Sequence, residues 1–229
     1  SGKTEDKALE DFNKNGYDYF KCLLDNIGKV VVDVSLLDKS KRIATLLMND
    51  PFTKDVFKDN DDEEYFPKFP IEWEYVTKQG VKTLCKSELD IIRINHTKKT
   101  IYLQDLKTCF DNESFEYGYL KYRYDIQAAF YYLAIQYWAK QEGMTDYTII
   151  PMEFIVGDTS SNNRRPVRYQ TTLEDLKASL EGFKINNSYK GVTQIMEEIA
   201  WAESTDNWNI SKTAYENDGI MKLNLDYKQ

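Results

Sequence analysis

Residues Lys86 to Tyr131 read KSELDIIRIN HTKKTIYLQD LKTCFDNESF EYGYLKYRYD IQAAFY, and the fold is decided by how this stretch is parsed. Val81 to Asn95 carries Leu84, Leu89, Ile91, Ile92 and Ile94, an apolar and β-favouring content that predicts a strand. The polar run His96-Thr97-Lys98-Lys99 predicts a turn, and Thr100 to Thr108, with Ile101, Tyr102 and Leu103, predicts the antiparallel partner. Side chains alternate across a strand, so Asp105 and Lys107 share one face while Leu106 points to the other. A neighbouring strand can bring Asp90 to the same point. Two carboxylates beside one lysine suit the binding of a divalent cation and the activation of a water. Taken singly, Asp90 is an ordinary solvent-facing strand acid and Asp105 with Lys107 an ordinary surface ion pair. Their order along one hairpin is what points to chemistry.

Outward from the hairpin, the pattern predicts an α/β chain. Upstream, Ala8, Leu9, Phe12, Tyr19, Phe20, Leu23 and Leu24 recur at helical spacing, with Gly16 as an interruption. Ser35 to Asp38 has the form of a capping box, opening a helix faced by Leu36, Ile43, Ala44 and Leu47. Asp50-Pro51 predicts a further short helix, and Asp59 to Glu64, five acids in six positions, predicts a solvated loop. Pro67 and Pro70 bound an extended lead into a strand over Ile71 to Thr77. Downstream, a polar loop over Asp111 to Gly118 precedes a long aromatic helix from Tyr124 to Gln141, apolar enough for burial on several sides. Tyr147 to Val156 and Pro166 to Thr171 predict two more strands. Helices follow from Thr172 and through Ile195 to Trp201. Helices, three strands, a helix, two strands and helices again fit a mixed β-sheet flanked by helices on both faces.

Composition bounds the functional classes. The 229 residues are 41% hydrophobic, enough for one ordinary domain with a real core. No apolar run approaches the roughly 18 residues that span a bilayer, and the amino terminus lacks the charged-then-apolar form of a signal peptide. A cytoplasmic protein with no membrane partner is the expectation. Cys22, Cys85 and Cys109 are widely spaced and odd in number, which fits reduced thiols rather than a disulfide framework. Gly-x-x-x-x-Gly-Lys and Gly-x-Gly-x-x-Gly are absent, which removes the ATP-driven and dinucleotide readings. The only histidine, His96, lies in the hairpin turn, so a nucleophilic serine or cysteine lacks its usual base.

The ordered set Asp90, Asp105-Leu106-Lys107, Thr108 and then Gln127 with Tyr131 on a helix resembles the PD-(D/E)xK nuclease superfamily. Within it the chain is most similar to phage and prophage recombination exonucleases of the exonuclease VIII type and their RecB-nuclease-like relatives. The resemblance is best over about residues 71–136 and extends toward Trp201. It implies a restriction-endonuclease-like sheet and a single nuclease domain over 1–229. That domain has a helical amino-terminal part over about 4–57 and a catalytic core over about 68–205. It implies a magnesium-dependent deoxyribonuclease, with Mn²⁺ as an alternative ion, that hydrolyses double-stranded DNA from its ends, 5′ to 3′, in recombination.

The roles follow residue by residue. Asp90, Asp105 and the backbone carbonyl of Leu106 are the implied metal ligands, Lys107 is catalytic with both acids, and Glu74 on the preceding strand is a further candidate ligand. Thr108, Gln127, Tyr131, Arg123 and Tyr124 are the implied DNA-binding or site-supporting residues. Many relatives add a histidine from an upstream helix, and none is available here. Some carry an iron–sulfur cluster on four cysteines, and three cannot supply one, so no such cluster is expected. The implied partners are double-stranded DNA ends, a single-strand annealing protein and further copies in a homo-oligomeric ring, in a bacterial or phage-infected cytoplasm. A structure-specific endonuclease on the same scaffold and a non-catalytic DNA-end-binding protein are the alternatives.

Charge opposes a nucleic-acid reading on average. The net charge is −8, with a pI near 4.9, where DNA-binding domains are usually basic. Lys98, Lys99 and Lys107, then Lys121 with Arg123, and Arg164 with Arg165 and Arg168 form local basic clusters that a phosphate track would need.

Overall fold

The structure, a computed structural model, describes residues 4–58, 60–160, 162, 164–185 and 187–221. Two compact units divide the chain, Ser1–Thr45 and Leu46–Gln229. In the first, α1 (Glu5–Asn15) and α2 (Tyr17–Asp25) bury none of their residues, and their Phe12 and Phe20 rings meet edge to face. Helix α3 (Val34–Asn49) starts ahead of the predicted capping box. Asp33 is the capping residue, its Oδ1 accepting from the Ser35 N–H at 2.7 Å.

The second unit holds a five-stranded mixed sheet flanked by helices. Its strands are β1 (Glu63–Val76), β2 (Lys82–Asn95), β3 (Thr100–Cys109), β4 (Thr148–Asp158) and β5 (Val167–Gln170), in that spatial order. β1, β2 and β3 run antiparallel, β3 and β4 parallel, β4 and β5 antiparallel. A parallel pair needs a crossover, supplied here by α4 (Phe115–Lys121) and α5 (Tyr124–Gln141). Helices α6 (Leu173–Glu181), α7 (Val192–Thr205) and α8 (Lys212–Glu216) follow, with a small hairpin of β6 (Phe183–Ile185) and β7 (Asn187–Tyr189) after α6.

Several local expectations shift. β1 reaches back to Glu63, absorbing the end of the acidic run (its Asp59 lies outside the described residues) and both prolines. Pro67 and Pro70 are tolerated there because β1 is an edge strand, where a missing N–H breaks no inner ladder. Asp50-Pro51 opens a turn and a 3₁₀ helix, Lys54–Phe57, rather than an α-helix; Asp50 Oδ1 accepts from the Phe52 N–H at 2.8 Å. The supposed loop at Asp111–Gly118 is mostly helical. Phe115 is buried there, its ring stacked on Tyr124 at 5.6 Å and tilted against Phe154, and tertiary packing of that aromatic overrides the polar local sequence.

The core lies between the sheet and α5. Leu89, Ile92, Ile94, Ile101, Leu103, Phe154 and Val156 face Ala128, Ala129, Ala134 and Ile135, all at most 1% exposed. Each large aliphatic side chain buried in this way contributes about 1.5–3 kcal/mol. Alanines on α5 let the helix lie close to the sheet, and the aromatics around them fill its flanks. The other sheet face meets the segment around Asp50 to Phe57. There Arg165 reaches Asp50 at 2.7 Å, Arg168 donates to the Phe52 carbonyl and Arg93 to the Asp55 carbonyl.

Candidate active site

The pairing ladder between β2 and β3 runs from Asn95 opposite Thr100, at the turn, to Ile91 opposite Gln104. One residue further on, Asp90 puts a side chain where a backbone acceptor would stand. Its Oδ2 accepts from the Leu106 N–H at 2.9 Å. In an extended strand the N–H and C=O of one residue point to the same edge, so the Leu106 carbonyl also faces the β2 side.

β1 and β2 both change face at this level. Leu89 and Ile92 on β2 both belong to the core, as do Phe66 and Phe69 on β1, although strict alternation puts residues three apart on opposite faces. The switch in β1 is made at Lys68, which has φ of 52°. Lys68 stands between the paired positions Pro67–Ile91 and Phe69–Leu89, which places it across from Asp90. Its Nζ lies 2.5 Å from Asp90 Oδ1.

Asp105 is 2% exposed, on the α5 face of β3 with Ile101 and Leu103. Its Oδ1 accepts from Gln127 Nε2 of α5 at 2.7 Å. Lys107 Nζ lies 2.5 Å from Oδ2, an ion pair by distance but not by hydrogen-bond alignment, so this buried oxygen has a charge partner and no aligned donor. Burial pushes the Asp105 carboxyl above its ordinary range. Lys107 opposes that rise, Asp90 adds to it, and the Gln127 hydrogen bond holds it back. Lys107 is held in turn by aromatic faces, its Nζ 4.6 Å from the Tyr124 ring centre and 5.9 Å from that of Phe154. Tyr131 follows Gln127 by one helical turn; burial raises its phenol and the Gln127 side chain partly offsets this.

Asp90, Asp105, Leu106, Lys107, Gln127, Tyr124 and Tyr131 thus gather at one place, while other candidates do not. Glu74 lies six residues along β1 from Lys68, opposite Leu84, and pairs with Lys82 at 2.8 Å. Thr108 is exposed on the sheet face opposite Asp105. Arg123 takes φ of 57°, grips buried Asp125 through two nitrogens at 2.9 and 3.1 Å, and donates to the Lys190 carbonyl at 2.6 Å. It ties the start of α5 to the loop between β7 and α7.

Lys99 and the three later arginines of the basic clusters are also engaged. Arg165 pairs with Asp50 and holds that carboxyl below its usual range, Arg168 pairs with Glu153, Arg164 with Asp111, and Lys99 with Asp146. His96 Nδ1 meets the Tyr147 hydroxyl at 2.7 Å and its Nε2 lies 3.4 Å from Glu64, at the turn end of the hairpin and away from Asp90 and Asp105.

Lys68 is the site residue that sequence reading misses. The run Pro67-Lys68-Phe69-Pro70 marks an edge strand with a basic residue between two prolines, but only the register with β2 shows that the lysine faces Asp90.

Among the described residues, no three His, Cys, Asp or Glu side chains converge on one point. The donors that do converge are hard oxygens: two carboxylates and a backbone carbonyl. Such a set suits Mg²⁺, which keeps several waters and is commonly held by one or two carboxylates, and does not suit a nitrogen- and sulfur-seeking ion. Asp105 Oδ2, buried without an aligned donor, is the atom a cation would satisfy.

No protein-family model matches the chain, and no curated protein matches it. Among solved structures, that of SSO0001 is similar at 12% identity and a TM-score of 0.33, over 70% of this chain and 81% of the other. A likeness of that size supports no inference about fold or function. Among the described residues, no helix is long and apolar enough to cross a membrane.

Proposed function

We propose that the chain is a metal-dependent deoxyribonuclease on a restriction-endonuclease-like sheet, acting as an exonuclease on double-stranded DNA ends. The carrying observation is the convergence of Asp90, Asp105 and Lys107 at the open end of the β2–β3 ladder, with Asp105 Oδ2 buried and lacking an aligned donor. The PD-(D/E)xK resemblance of the same residues supplies the reaction class.

A bound Mg²⁺, or Mn²⁺ in its place, would offset charge on the scissile phosphate and lower the pKa of an attacking water. Asp90, Asp105 and the Leu106 carbonyl are the residues that would hold it. Gln127 fixes the Asp105 rotamer through Oδ1, so the ion would share Oδ2 with the Lys107 ammonium 2.5 Å away. Lys107 hydrogen-bonds and orients the water through Nζ and offsets negative charge gathering on the phosphate. Tyr124 and Phe154 keep that amine from wandering into solvent. Digestion from ends, an annealing-protein partner and a ring assembly belong to this reading through the resemblance.

The test digests end-labelled linear duplex beside covalently closed circular DNA, in Mg²⁺, Mn²⁺ or EDTA, with wild type and Lys107→Ala. Metal-dependent loss of linear DNA alone, abolished by the substitution, is the expected result. Cleavage of the closed circle replaces the exonuclease with an endonuclease. No metal-dependent cleavage of either DNA leaves a DNA-end-binding protein.

A further inference from the structure

Lys68 has no part in the reaction as described above, yet it is the residue at which β1 changes face. A lysine at φ of 52° occupies a conformation that costs an L-residue about 1–2 kcal/mol, and strain of this kind gathers at functional positions. Packing does not demand the side chain, which is 68% exposed. Register aims it across the strand pair at Asp90.

Both Asp90 oxygens are engaged, Oδ2 by the Leu106 N–H and Oδ1 by Lys68. Each oxygen keeps a further lone pair, but a cation at Oδ1 meets the repulsion of an ammonium 2.5 Å from that atom, so the positive partner is the one it competes with. The Leu106 N–H is fixed in a strand, whereas the Lys68 amine rides on a flexible four-carbon stem. Charge leads to the same residue. Two lysines face the two carboxylates, with Glu88 near enough to act on Lys68, so a dication turns the local balance positive until an anion arrives.

We propose that Lys68 is a displaceable counter-ion of this site: it neutralises Asp90 when no cation is present, yields Oδ1 to a divalent cation, and then pairs with a non-bridging oxygen of an adjacent DNA phosphate. This rests on the nuclease reading and adds a phosphate-binding residue to it. Cation and DNA then favour each other's binding, because the released amine needs an anion.

The test compares the full-length wild type with Lys68→Met and Lys68→Gly; glycine suits the positive φ, so a folding failure of the first variant does not hide the answer. Mn²⁺ binding without DNA is followed by calorimetry, and duplex binding is followed in Ca²⁺ across a salt series. Loss of the competing amine is expected to tighten Mn²⁺ binding roughly three- to tenfold. The slope of log affinity for duplex against log salt is expected to fall by about one. Unchanged or weaker Mn²⁺ binding in both variants overturns the proposal, as does an unchanged salt slope. If wild type binds Mn²⁺ and cleaves DNA while the variants behave like it, this inference alone fails. If wild type takes up no Mn²⁺ at all, the nuclease reading fails with it.

Discussion

The two ends of the β2–β3 hairpin are made of the same strands and do opposite things. Toward the turn, Ile94 pairs with Ile101 and Ile92 with Leu103, every one of these side chains is buried, and the backbone ladder is complete. Toward the open end the ladder stops, a carboxylate takes the Leu106 N–H, and a second carboxylate is buried with an oxygen lacking an aligned donor. One end is organised for stability. The other carries a buried carboxylate whose desolvation Lys107 and Gln127 offset only in part. A site built where regular pairing ceases is held rigidly by the strands behind it, yet leaves a buried carboxylate oxygen without an aligned donor.

Breaking the open end chemically is expected to have the largest effect. Lys107→Ala should lower Mg²⁺-dependent digestion by at least about 10³-fold while the far-ultraviolet circular dichroism stays that of wild type. A proportionate loss of folded protein would instead make Lys107 structural. Breaking the paired end should do the reverse. Leu103→Ala leaves a cavity against α5, and a loss of about 2–5 kcal/mol in urea unfolding is expected, with activity per folded molecule retained.

Gln127→Ala tests how the two ends are linked, since α5 packs on the paired end and reaches the open one. It removes the donor that fixes Asp105, and a fall in activity of about 10–100-fold with weakened metal binding is expected. Wild-type metal affinity in this variant would show that the strand alone sets the Asp105 rotamer.

The smallest effect is the one most specific to the comparison. In EDTA, Asp105→Asn should melt about 2–4 °C above wild type, equivalent to about 1 kcal/mol. Burial raises the Asp105 carboxyl, so in the window above the ordinary carboxylate value the native state binds more protons than the unfolded chain. Its stability contribution is therefore lost as pH rises through that window, and the advantage of the asparagine variant grows toward neutral pH. Adding Mg²⁺ should raise the melting temperature of wild type and leave the variant unmoved. A variant less stable than wild type at every pH would show that the Lys107 ion pair outweighs desolvation.

The alternation of Ile101, Leu103, Asp105 and Lys107, the polar turn at His96–Lys99 and the spacing of Gln127 and Tyr131 are properties of single strands, turns or helices. The sequence by itself therefore determined the mixed α/β order, the β2–β3 hairpin and the helix that follows it. It also determined which acids and which lysine could share a face, because alternation and helical period are set locally by backbone sterics.

Only the tertiary structure decided that Glu74 pairs with Lys82 far from Asp90, that Arg123 and the later arginines are already engaged by acids, and that Phe115 turns a polar stretch into a helix. It also decided that Lys68 stands across from Asp90, through a register fixed by where β1 and β2 both change face. Apart from Arg123 with Asp125, two positions away, these are pairings between residues 8 to 115 positions apart. Nothing in a local pattern specifies them, because which charges meet is set by strand register and by the packing of buried side chains.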